Sequence, residues 1–152
     1  MKRIAKFEKV SFAEFEKCYS EVYDVAGVAA EQKECSDAKR SVKAVYDAII
    51  LPRRATVGSA GDDFFSTVDA ELQPGESVKI PTGIRAWMED GWVLMLYPRS
   101  GLGFKYRMQL ANTVGVIDSD YYGSDNEGHI QIKITNDSRD GKLLKIKAGA
   151  AV

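Results

Sequence analysis

Residues 130–135, Ile130-Gln131-Ile132-Lys133-Ile134-Thr135, place a β-branched apolar side chain at every second position and a polar one between. A period of two puts the three isoleucines on one face and leaves the other face wet, which describes a strand at the surface of a core. On the C-terminal side, Asn136 to Gly141 is a cluster of turn residues, and Leu143 to Ile146 starts another strand. On the N-terminal side, Val78 and Ile80 flank Lys79 with the same alternation, and a further apolar run leads from Trp92 to Tyr97. Between them, Trp87-Met88-Glu89-Asp90-Gly91-Trp92 reads as a hairpin whose Asp-Gly pair supplies left-handed turn conformations. Short strands parted by turns, with no helical period between them, predict a mainly β protein built as an antiparallel barrel or jelly roll.

The first fifty residues differ. All four prolines lie after residue 51 and twelve of the thirteen glycines after residue 57, so the early part lacks the turn residues that short strands need. Ser11 with Glu14 three residues on has capping-box spacing, and Phe12, Phe15, Tyr19, Val22 and Tyr23 follow at steps of three and four. These predict an amphipathic helix ended by Gly27. A second helix is expected from about Asp37 to Ile49, with Val42, Val45, Tyr46 and Ile49 on one face. The division is therefore a helical extension over 1–50 and a β domain over 51–152, the aromatic stripe packing one onto the other or onto a neighbouring subunit.

Composition narrows the chemistry. The chain has 152 residues, 45% hydrophobic and 28% charged, ordinary for a folded soluble domain with a real core. Twenty-one Lys and Arg against 22 Asp and Glu leave a formal net charge of -1, which gives no global field to draw in duplex nucleic acid or a membrane surface. With His129, Cys18 and Cys35 as the whole His and Cys inventory, a zinc site of the usual kind needs carboxylates, so any divalent ion is expected on oxygen. The cysteines read as free thiols in a reducing compartment. The start, MKRIAKFEKV, has no apolar signal region and no long uncharged run follows, so a cytoplasmic location is expected.

Three segments carry polar residues that a plain β scaffold does not need. In Ser59-Ala60-Gly61-Asp62-Asp63-Phe64-Phe65, a small-residue turn delivers two carboxylates, readable as a solvated turn or as a ligand site. In Tyr97-Pro98-Arg99-Ser100-Gly101-Leu102-Gly103, an Arg at a strand end can fork onto a phosphate beside a hydroxyl and glycine amides, or simply be solvated. In Asn112-Thr113-Val114-Gly115-Val116-Ile117-Asp118-Ser119-Asp120-Tyr121-Tyr122-Gly123, a carboxylate directly after an apolar strand suits a general base, and Gly115 permits close approach of a ligand to the backbone. The bland alternative is a hairpin with acidic turn residues. Asp120, Asp125 and Glu127 read as solvated charges, and His129 as a structural or surface residue. Ser119 and Ser124 lack the setting of a hydrolase nucleophile.

The order and spacing of AGDDFF, PRSGLG and NTVGVIDSDYYG, with Asp118 nineteen residues after Arg99, closely resembles the first three motifs of the trimeric dUTPase (dUTP diphosphatase) family over roughly residues 49–152. The resemblance implies a β-barrel homotrimer with shared active sites that hydrolyses dUTP to dUMP and pyrophosphate with Mg2+. Residue by residue, it implies that Asp63, or its neighbour Asp62, holds Mg2+ through water, with Asp63 favoured because it precedes the Phe64-Phe65 pair. It implies that Arg99, Ser100 and the Gly101 backbone bind phosphate from a neighbouring subunit. Asn112 and the backbone at Val116 and Ile117 would read uracil, Asp118 would activate the water and hold the 3′-OH, and Tyr121 would pack under the deoxyribose. The last stretch, IKAGAAV, is similar to the opening of the fourth motif, and the sequence closes at Val152 ahead of that motif's Gln and the Gly-rich arm that acts as a lid. Weak binding and slow turnover are therefore expected of these residues alone. Two other readings compete. One is a related dCTP deaminase, for which Glu127 is the nearest candidate acid. The other is a nucleotide-binding regulatory module on the same fold.

Overall fold

The computed structural model describes residues 4–24 and 41–152; the expectations resting on Gly27, Cys35 and residues 37–40 fall outside them. In chain order the elements are β1 (Ala5–Lys9), α1 (Phe12–Asp24), α2 (Val42–Asp47), β2 (Ala70–Leu72), β3 (Ser77–Met88), β4 (Val93–Leu96), α3 (Ser100–Tyr106), β5 (Met108–Leu110), β6 (Gly115–Asp118), a 3-10 turn (Ser119–Gly123), β7 (Ile130–Asn136) and β8 (Leu144–Ile146). The protein is mainly β and its strands pair antiparallel. One sheet has the order β1-β3-β7-β5, and two ribbons, β2-β8 and β4-β6, complete the jelly-roll-like barrel. Ile130, Ile132 and Ile134 are buried while Lys133 is exposed, as the period of two requires.

Three local expectations change. The first fifty residues are not purely helical, because β1 pairs with β3 from Ala5 opposite Met88 to Lys9 opposite Ile84. Alternation over five residues, AKFEK, with its polar positions left partly open, carries too little apolar signal to announce a strand. The segment between β3 and β4 is a turn without a hairpin. Gly91 takes φ +82° and Trp92 N–H donates to Glu89 O at 3.3 Å, but β3 pairs with β1 and β7 whereas β4 pairs with β6. The capping box is half formed: Glu14 N–H donates to the Ser11 hydroxyl at 3.2 Å, while the Glu14 carboxylate turns towards His129 instead of returning to Ser11.

A bulge in β3 explains why Thr82 and His129 are buried. The β3–β7 register shifts by two residues between Pro81 and Ile84, and Gly83 takes φ +69° there. The displaced backbone groups find side-chain partners. Gly83 N–H donates to His129 Nε2 at 2.9 Å, Thr82 Oγ1 donates to Ile130 O at 2.6 Å, and Ile84 N–H donates to Thr82 Oγ1 at 3.1 Å. His129 is thus structural, and Pro81 is tolerated because β1 reaches only residues 84–88 of β3. The helices dock over this bulge. Phe15 is fully buried and a Cβ at Gly83 would lie 3.1 Å from its ring. Phe12 and Phe15 meet Tyr46 at ring-centroid distances of 5.5 and 5.7 Å, and the Tyr46 hydroxyl donates to Val10 O at 2.7 Å. The aromatic stripe is core, joining α1 and α2 to the barrel. Cys18 is a buried free thiol, pushed up in pKa by that burial.

Candidate functional site

The ribbon of β4 and β6 carries Val116, Ile117 and Asp118 of the residues singled out in the sequence. Val93 stands opposite Asp118, Leu94 opposite Ile117, Met95 opposite Val116 and Leu96 opposite Gly115. Asp118 is therefore at one end, and Arg99, three residues past Leu96, lies beyond the other. Among the described residues no hydrogen bond or ion pair joins the Arg99 and Asp118 side chains.

Arg99 instead meets Asp63. Its Nε lies 3.4 Å from Asp63 Oδ1, with the two side chains 47% and 26% exposed. Asp63 is placed by an isolated antiparallel bridge to Arg53, its N–H donating to Arg53 O at 2.9 Å. The adjacent Asp62 is exposed. Arg99 is the N-cap of α3 by position, and its guanidinium, half exposed, turns to Asp63. Ser100 and Gly101 form the first turn of α3, where helix amides have no intrahelical partner, and a Cβ at Gly101 would meet nothing within 4 Å. A cleft of about 620 Å3 opens beside the pair, between Ser59–Asp63 and Leu94–Arg99. Asn112, Asp118 and Tyr121 do not line it.

At the other group of residues, Asn112 is exposed in the tight turn leading to β6, where Thr113 takes φ +68°. Gly115 is buried, and its missing side chain makes room for Leu96 of the facing strand, whose Cβ would lie 3.1 Å from a Gly115 Cβ. That replaces the expectation that a ligand uses the space. Val116 is exposed and Ile117 packs on the core. Among the described residues β6 pairs only with β4, which leaves its second edge of N–H and C=O groups open. Asp118 is exposed, caps the 3-10 turn by position, and makes no side-chain bond to it. The Tyr121 hydroxyl donates to His129 O at 3.0 Å and accepts from Asn126 Nδ2 at 2.8 Å, which fixes the ring.

Glu127 is not the solvated charge expected. Its two oxygens accept the Ser11 N–H and the Ser11 hydroxyl, each at 2.7 Å, and these bonds hold its carboxyl below the usual range. An acid poised over cytosine would need that carboxylate free. Tyr122 was not singled out from sequence: its hydroxyl donates to Glu8, and the Arg85 guanidinium lies 4.4 Å from its ring centroid. Hydrogen bonds from Lys6 and Tyr122 hold the Glu8 carboxyl low. No local pattern could have revealed this cluster, since Glu8 and Tyr122 are 114 residues apart. Among the described residues no three His, Cys, Asp or Glu side chains converge as a metal cage. The Asp63 carboxylate, with Asp62 beside it, offers oxygen donors of the kind Mg2+ takes, so these two residues would suit that ion.

An antiparallel β-barrel with an Arg–carboxylate pair at one end of an open ribbon and an exposed strand-end Asp at the other defines the class. Within it, the chain belongs to the dUTPase family, whose model matches residues 47–152. It is 45% identical over 89 residues to the deoxyuridine 5'-triphosphate nucleotidohydrolase of Lactococcus lactis subsp. lactis, covering 58% of this chain and 59% of that protein. It is 42% identical over 104 residues to the protein of the same name from Ectopseudomonas mendocina, covering 63% and 69%. The crystal structure of dUTPase from Streptococcus mutans superposes with a TM-score of 0.59 at 40% identity, over 67% of this chain and 79% of that one. A dUTPase of Staphylococcus aureus phage phi11, described with a structural Mg(II) ion, shares the fold at 24% identity and a TM-score of 0.55, over 68% and 78%. The chain spans between half and three fifths of the first curated relatives it matches.

Proposed function

We propose that the protein is a dUTP diphosphatase acting as a cytoplasmic homotrimer with shared active sites. The observation that carries the reading is the 3.4 Å approach of Arg99 to Asp63, with the uncommitted Asp118 at the far end of the same ribbon. A cation for phosphate and a candidate base are both exposed beyond opposite ends of the ribbon, and in this reading a second copy brings them to one substrate. The ribbon supports that reading: Trp92, Val93, Met95, Tyr97 and Val116 are 45–61% exposed along it, a contiguous apolar stripe of the kind that marks an interface.

In this reading Asn112 and the open edge at Val116 and Ile117 hydrogen-bond the uracil edge. The Tyr121 ring packs beneath the deoxyribose and leaves no room for a 2′-OH. Asp118 holds the 3′-OH and accepts a proton from water as that water attacks the α-phosphorus in line. The bond to the bridging oxygen breaks, and dUMP and pyrophosphate leave. Arg99, with the Ser100 hydroxyl and the Gly101 N–H, holds the charge gathering on the phosphate chain. Asp63 would hold Mg2+ through water, and the ion when bound neutralises phosphate charge.

Pyrophosphate release from dUTP, compared with dTTP, dCTP and UTP, tests the proposal. Asp118→Asn is expected to lower kcat by roughly 10²- to 10⁴-fold, the range of a general base, while nucleotide still binds. Full activity in that variant removes Asp118 as the base. Ammonia released from dCTP would replace the reading with a deaminase, and binding without turnover would leave a regulatory module.

A further inference from the structure

The segment that follows Asp118 is tied to itself and to the N-terminal elements more closely than a surface turn needs. Besides the two bonds of the Tyr121 hydroxyl, the Ser124 hydroxyl donates to Tyr121 O at 2.7 Å. Gly128, at φ +73°, lies so close that a Cβ there would come within 2.7 Å of Tyr122 Cα. Residues 119–129 therefore form one folded unit around the Tyr121 ring.

Two hydrogen-bonded contacts and one close approach face that unit towards the first fourteen residues. The Tyr122 hydroxyl donates to Glu8 of β1, a carboxylate held in turn by Lys6 at 2.6 Å and Arg85 at 3.3 Å. Glu127 takes both donors of Ser11, at the start of α1. His129 Nδ1 faces Glu14 Oε1 at 3.5 Å. None of these three contacts reaches the ribbon or the cleft.

We infer that Glu8 and Ser11 are positioning residues: through Tyr122 and Glu127 they set the height of the Tyr121 ring and so the sugar selectivity of the site. The inference rests on the reading of Tyr121 as the floor under the deoxyribose. Excluding one hydroxyl sterically demands placement to about 0.5 Å, which a ring on an untethered turn does not keep. The anchors supply that placement from outside the site.

The test compares kcat/KM for dUTP and UTP in wild type, Tyr122→Phe, Glu8→Ala, Glu8→Gln and Ser11→Ala, well below each melting temperature. Tyr122→Phe and Glu8→Ala are expected to lower the dUTP/UTP ratio roughly three- to tenfold, the worth of one hydrogen bond. Ser11→Ala, which removes one of the two Glu127 contacts, moves it the same way. Glu8→Gln keeps an acceptor for the phenol and keeps the ratio. Amide hydrogen exchange gives a second readout, faster over 120–128 in Tyr122→Phe and unchanged over 131–135. An unchanged ratio with unchanged local exchange overturns the inference. So does an equal loss of both activities with exchange rising throughout, which marks a purely structural role. Wild-type protein inert toward dUTP defeats instead the functional reading on which the inference rests, and the local exchange then still decides whether the anchors hold the segment.

Discussion

Arg99 Nε lies 3.4 Å from Asp63 Oδ1. The contact joins two segments that are 36 residues apart in sequence and places them at one end of the β4-β6 ribbon. Both side chains are partly exposed, so the ion pair stabilises the fold by less than about 1 kcal/mol. Its consequence is orientation: the carboxylate holds the guanidinium at the cleft before any phosphate arrives. Arg99→Lys keeps the charge and loses the planar fork. It is expected to lower kcat/KM for dUTP by roughly 10- to 100-fold, the range of a charge-assisted hydrogen bond. The melting temperature should stay within about 2 °C of wild type. Steady-state kinetics with a thermal melt check this; a large loss of stability would show that the pair serves the fold instead.

The placement of Arg99 and Asp118 beyond opposite ends of the ribbon makes a prediction about assembly. If each site takes its base from one copy and its phosphate cation from the next, Arg99→Ala and Asp118→Asn are each inactive alone and complement when mixed. In randomly mixed cyclic trimers, a complete site needs one particular variant in each of two adjacent positions, so about a quarter of wild-type activity should return. Mixing the purified variants after denaturation and refolding, and assaying pyrophosphate release, measures it. A mixture no more active than its components would rule out sites shared in this way.

His129 predicts an acid limit to stability. Burial, aided by the charge of Lys79 and opposed by Glu127, pulls its pKa down to about 4. The imidazole is therefore neutral in the fold, Nε2 accepting from Gly83 N–H, whereas the unfolded residue titrates near 6.5. The unfolded chain binds the extra proton below 6.5, so this stability is complete above that pH and is lost as pH falls towards 4, by up to ~3 kcal/mol. His129→Gln keeps an acceptor for Gly83 and cannot titrate. Chemical denaturation at pH 7.5, 6, 5 and 4.5 should show a shallower acid slope in the variant. Equal slopes would contradict the assignment.

The parts of the fold legible in the sequence are those written in local periodicity. The isoleucine alternation of β7, the stripe of α1 and the Asn136–Gly141 turn each follow from neighbouring residues. The family was legible as motif order, because Arg99 and Asp118 belong to compact segments inside the residues that the dUTPase model matches. What stayed hidden depends on distant pairing. The exchange of strands between sheets at Gly91 cannot be read from an Asp-Gly pair, since turn chemistry says nothing of which strand lies alongside. The commitment of Glu127 to Ser11, 116 residues away, likewise turns a charge that looked solvated into a helix cap.

Two glycines with nearly the same backbone conformation should respond differently to a methyl group. Gly128 and Gly91 take φ +73° and +82°, and both gain strain from any L side chain. At Gly91 a Cβ meets nothing within 4 Å, so Gly91→Ala is expected to cost only ~1 kcal/mol. At Gly128 it would lie 2.7 Å from Tyr122 Cα and 2.8 Å from Tyr121 O, backbone atoms that cannot step aside without moving the segment that follows Asp118. Gly128→Ala should therefore cost ~3 kcal/mol or more, and displace the Tyr121 ring as it does so. Urea denaturation of both variants gives the comparison, since the conformational strain is common to the two and the difference isolates the contact. Equal losses would mean that residues 121–128 relax freely, in which case they could not hold Tyr121 in register with the sugar.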